Sequence, residues 1–127
     1  MTTPMQAASD IAAAVRNLNH STLKQGEGWE YPGDAYSVIG SLATGAHGLT
    51  QALEQVSRLL YDLHKEGQLV SVDGAQETDN QVVSARGSLR MARERTDALS
   101  ALLRDAHTAM SGLAALGNHT TTQEPPR

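Results

Sequence analysis

The chain has five histidines, at positions 20, 47, 64, 107 and 119, and these are its best-suited groups for holding a metal or moving a proton. A helical metal site needs ligands three or four residues apart, so that both leave the same face of the helix. No two of these histidines have that spacing, and no Asp or Glu completes a set with any of them. No metal or cofactor is therefore expected. His64 has one partner in prospect, Asp79, across the tip between two long helical segments. At such a tip the pair reads as a surface ion pair rather than a catalytic dyad. A serine nucleophile needs a strained, Gly-flanked elbow, and none is present. The glycines of "GEGWEYPGD" follow no strand and precede no Gly-Lys-Ser/Thr, so they form no phosphate loop. The chain is expected not to be an enzyme.

The arginines hold the other chemistry. Arg86, Arg90 and Arg93 fall on one face of a helical segment, with Arg95 and Arg104 near them, and these five are half of the ten Lys and Arg residues. Such a stripe can track nucleic-acid phosphates. Glu94 and Asp97 interrupt it, Glu54 faces it from the neighbouring segment, and no aromatic is interleaved for base stacking. It reads as a solvated face, with a DNA-associated role as the alternative.

Composition says what can position these groups. In 127 residues the net charge is -4, there is no Cys and no Phe, and aromatics make up 3%. No global basic field draws this chain to nucleic acid or to an anionic membrane. A disulfide framework and thiolate zinc are excluded. So few aromatics argue against a thick core or a roomy pocket and favour thin helical layers rich in Ala and Leu. The opening "MTTPMQAASDIAAAVRNL" has no basic segment followed by an apolar core, and no run reaches membrane-spanning length. A cytoplasmic protein is the expectation.

Residues 4–18 carry Ala8, Ile11, Val15 and Leu18 at helical spacing. A polar, Gly-containing loop follows and ends at Pro32-Gly33, after which Asp34 is the predicted N-cap of a long helix over 34–66. There the apolar positions Ile39, Leu42, Ala46, Leu49, Leu53, Val56, Leu60 and Leu63 alternate three and four apart. A second helix over 78–116 repeats the pattern with Val82, Ala85, Leu89, Ala92, Thr96, Leu99, Leu103, Ala106, Met110 and Leu113. The short link between them, with Leu69, Val70 and Val72 folding over the tip, makes the helices antiparallel neighbours. The register sets Leu63 beside Val82, Val56 beside Leu89, Ala46 beside Leu99 and Ile39 beside Ala106. At the far end Trp29 and Tyr31 arrive opposite Met110, Leu113 and Leu116 as a plug. Residues 117–127 form a polar tail expected to be disordered.

The fold expected is all-α: an antiparallel coiled-coil hairpin of two long helices (34–116), preceded by a short helix and an aromatic loop (1–33), completing a three- or four-helix bundle. Its flanks differ. One carries Val38, Gly45, Ala52 and Leu59 with Leu102, Ala109 and Leu116; the other carries Ala43, Thr50, Ser57 and His64 with Arg86, Arg93, Ser100 and His107. A two-helix coil needs apolar residues only on its seam, so the first flank should be covered by the N-terminal segment, which is long enough for only about half of it, by a second copy or by a partner helix.

"WEYPGDAYSVIGSL", followed by a Leu-rich heptad helix and an Ala/Arg-rich one, resembles a group of uncharacterised small helical proteins of actinobacteria across residues 29–116, a resemblance that implies no activity. The hairpin is also similar to the WXG100 helical-hairpin secretion partners, which would imply a secreted chain. Their Trp-x-Gly lies between the helices, whereas Trp29 here precedes the first long one, and no Tyr has an acidic residue four positions on. The expected function is a non-enzymatic interaction or assembly module. It would self-associate or bind a partner helix through the apolar flank.

Overall fold

The computed structural model describes residues 2–22 and 33–113. Among these there is no strand: the elements are α1 (Pro4–Thr22), α2 (Gly33–Lys65), a 3-10 turn (Ala75–Glu77) and α3 (Thr78–Met110). None of the helices is long and apolar enough to cross a membrane. The contacts divide the chain into two compact units, of which Tyr36–Leu113 contains nearly all of α2 and the whole of α3, while α1 belongs to the other.

α1 starts with a capping arrangement. Thr3 Oγ1 accepts the Gln6 backbone N–H at 3.1 Å and Pro4, which has no N–H to satisfy, takes the first helical position. The helix runs on to Thr22, beyond the 4–18 span expected, and Ser21 and Thr22 return their hydroxyls to the carbonyls of Asn17 and Asn19. None of its residues is buried, and Ile11 and Val15 are exposed.

α2 begins at Gly33, so Asp34 lies inside the first turn rather than at the cap, a position where the positive end of the helix favours a carboxylate. At its other end Gly67 takes φ +73°, and the N–H groups of Gly67 and Gln68 close on the carbonyls of His64 and Leu63 at 3.0 and 2.9 Å. That is a Schellman stop. The link is ordered by polar contacts: Ser71 N–H donates to Thr78 Oγ1 and Gln81 Nε2 to Asp73 Oδ2, each at 3.0 Å. Leu69 is half-buried, but Val70 and Val72 are exposed instead of covering the tip. α3 ends at Met110, with Ser111–Leu113 in a turn; it is shorter than the 78–116 span expected.

The two long helices pack against each other. His64 at the end of α2 meets Asp79 at the start of α3, Ser57 meets Arg86, Glu54 meets Arg93, Ala43 meets Ser100, and Tyr36 at the start of α2 meets His107 near the end of α3. The seam is rotated from the expected one by one heptad position. Ile39, Ala46, Leu53 and Leu60 line it as foreseen, but alternate with Ala43, Thr50, Ser57 and His64 in place of Leu42, Leu49 and Val56. On α3 Val82, Leu89, Thr96, Leu103 and Met110 alternate with Arg86, Arg93, Ser100 and His107 in place of Ala85, Leu99 and Ala106.

The small side chains explain the rotation. Ala43 (4% exposed) and Ser100 (1%) are the most buried residues described, and their lack of bulk lets the backbones approach. Polar atoms in the seam find partners: Thr50 and Thr96 bond the Ala46 and Ala92 carbonyls of their own helices, and Ser100 Oγ donates to the Ala43 carbonyl across the seam at 3.4 Å. Among the described residues no buried side-chain polar atom is left without a partner.

Candidate functional site

Turning the small and polar flank inward turns the large apolar residues outward. Leu42, Leu49, Val56 and Leu59 of α2 and Leu99 and Leu102 of α3 are between 37% and 65% exposed. They occupy adjacent heptad positions on the same side of the pair, because in each helix they fall on the same side of the contact line marked by Ala43, Ser57, Arg86 and Ser100. Between them stand small residues, Gly45 and Ala52 on α2 and Ala85, Ala106 and Ala109 on α3, all exposed. The α2 part of this surface carries no charge from Val38 to Leu59, and the α3 part carries Arg95 alone.

Of the flank residues foreseen, Gly45, Ala52, Leu59, Leu102 and Ala109 lie exposed on this face and Val38 is half-buried at its edge. Leu116 lies outside the described residues, as do Trp29 and Tyr31 with their plug. Leu42, Leu49, Val56 and Leu99, assigned to the seam by their spacing, belong to the open face. The signal that separates them is the row of small and polar residues one heptad position away, Ala43 to His64 facing Arg86 to His107.

The opposite side of the pair is polar. Arg86 Nε donates to Ser57 Oγ at 3.2 Å, and its guanidinium carbon stands 4.8 Å from the centre of the Tyr61 ring. Arg93 reaches Glu54 at 3.9 Å, and Arg90 is exposed. The three arginines thus do not form one outward stripe: Arg86 and Arg93 line two adjoining hollows between the helices, one bordered by Arg58 and Asp62 and the other by Arg90. At the tip His64 Nε2 lies 2.6 Å from Asp79 Oδ1, the pair foreseen from spacing. No set of three or more His, Cys, Asp or Glu side chains among the described residues is arranged to hold a metal.

Compared with family models, curated proteins and solved structures, this chain matches none. The functional reading rests on the geometry itself.

The third notable group is at the other end of the pair. The rings of Tyr36 and His107 stack with centroids 3.8 Å apart and 18° between their planes. Gly40 lies against the imidazole so closely that a Cβ there would come within 2.8 Å of His107 Nε2. Spacing alone did not reveal this cluster, because it needs the helix rotation to bring position 107 over position 40.

Proposed function

We propose that this protein is a non-enzymatic helical assembly module, an antiparallel hairpin whose open apolar face is covered by the same face of a second copy, giving a four-helix bundle. The observation that carries the reading is the face itself, with six Leu and Val side chains left between 37% and 65% exposed while Ala43, Thr50, Ser57 and Ser100 take alternate places in the seam. A monomer that leaves these residues in water forgoes the main term available to so thin a protein.

Size and shape favour a second copy. From Val38 to Leu59 and from Ala85 to Ala109 the face runs about 30–35 Å along each helix and about 20 Å across the pair, or on the order of 600 Å² per copy. Two copies then bury on the order of 1,200 Å², enough for a specific interface. Each helix offers large residues beside small ones, Leu49 next to Ala52 and Leu102 near Ala106, so a two-fold operation brings knobs to holes. Few like charges meet, because Arg95 is the only charge there.

Ala109→Glu tests this reading, with Leu102→Glu beside it. Both positions are exposed and off the seam, so the single hairpin tolerates the charge. In sedimentation equilibrium the wild type is expected to be dimeric at micromolar concentration and each variant at least tenfold weaker in association, because a buried, unpaired carboxylate is costly. Circular dichroism should stay helical. A wild type still monomeric at about 100 μM, or a dimer indifferent to both substitutions, would overturn the reading.

A further inference from the structure

We propose that the groove on the polar side of the helix pair, built on Arg86 with Arg58, Arg90 and Arg93, is a binding site for a compact phosphate-bearing ligand. The proposal is independent of association through the apolar face. Its anchor is the state of Arg86. The side chain is half-buried, tied at Nε to Ser57 Oγ and laid against the Tyr61 ring, which fixes the plane of its guanidinium. Among the described residues neither a hydrogen bond nor an ion pair engages its two terminal amino groups, which leaves them available to a ligand. An arginine held by a hydroxyl and a ring instead of a counter-ion is pre-organised for a tetrahedral oxyanion, which accepts its paired N–H groups side by side.

The surroundings fit a small dianion better than a polymer. Two adjoining hollows share Ser57, Tyr61, Arg86 and Arg93; Arg58, Glu54 and Asp62 border one and Arg90 the other, and since Arg93 is paired with Glu54, three arginines stand against the one carboxylate of Asp62. The local balance is positive on a chain whose net charge is -4. Arg86 to Arg93 spans only about 10 Å along α3, short for tracking a duplex backbone. Glu94 and Asp97 close the run. Tyr61 and Ser57 add hydroxyls, which suit a phosphate monoester or pyrophosphate group.

The test is a titration of the full ¹⁵N-labelled chain with inorganic phosphate and then pyrophosphate, followed by amide shifts, with sodium chloride at matched ionic strength as control. Saturable shifts confined to residues 54–62 and 83–93 are expected, tighter for pyrophosphate than for phosphate. Arg86→Gln should weaken binding about tenfold or more, and Arg86→Lys, which keeps the charge and loses the fork, should fall between. Arg90→Gln, at an exposed position, is a second variant that leaves the fold alone and should weaken binding about threefold. Shifts no larger than those from chloride, or affinities unchanged in both Gln variants, would overturn the site. A duplex oligonucleotide forms the last arm: tighter binding of the duplex than of pyrophosphate, lost steeply with salt, would replace the compact ligand with nucleic acid.

Discussion

Gly40 and Gly48 sit two turns apart on α2 in different surroundings. Nothing lies within 4 Å of a Cβ placed at Gly48, whereas one at Gly40 would stand 2.8 Å from His107 Nε2. Gly48→Ala should therefore stabilise the protein by about 0.5–1 kcal/mol through helix propensity alone. Gly40→Ala gains the same propensity, but pushes the imidazole off Tyr36, so its melting temperature should fall below that of Gly48→Ala and the Tyr36–His107 ring contacts should weaken in NMR. Equal gains from both would show that the stacked pair contributes nothing. At this scale the sequence showed the pair that depends only on register, His64 with Asp79, and set Glu54 opposite the arginine run without naming Arg93 as its partner. It hid those that depend on helix rotation, because a residue is moved on or off a contact by a turn far smaller than the spacing of apolar positions can define.

The helices were legible to within a residue at the start of both α2 and α3, where Pro32-Gly33 and the polar link punctuate the chain. The end of α3 was missed by several residues, since Ser111-Gly112 is a weaker stop than the Gly117-Asn118 pair chosen from the sequence. The seam was half legible. On α2 apolar residues occupy three adjacent heptad positions, an arc too wide to reveal its own centre, and close packing chose the edge where Ala43, Ala46 and Ser100 let the backbones meet. Two measurements check this geometry. Ser100→Leu forces bulk into the tightest point and should destabilise by about 1–3 kcal/mol, with a loss of helicity on mild heating. Gly67→Ala places a Cβ in the left-handed turn that stops α2 and should cost about 1 kcal/mol in urea unfolding. A neutral Ser100→Leu would mean that the helices touch elsewhere.

Across the pair of long helices the residues are sorted by side, with aliphatic surface carrying Arg95 as its single charge on one flank and most of the arginine chemistry on the other. The association proposed through the aliphatic flank should be nearly blind to salt: between 50 and 500 mM sodium chloride its constant is expected to shift by no more than about threefold, and ammonium sulfate should tighten it. Dissociation by moderate salt would point to the charged side instead. The placement of the contacts has a mechanical consequence as well. Tyr36 and His107 meet where the chain enters α2 and leaves α3, while His64 and Asp79 meet where the link turns. A pull applied through those two strands of chain loads the contacts one after another instead of all at once. The stacked rings part first, then Ala43 from Ser100, and the tip yields last. In an optical trap the pair of long helices should peel open at low force in small steps, whereas the proposed pairing of two copies should resist until it gives way as a unit.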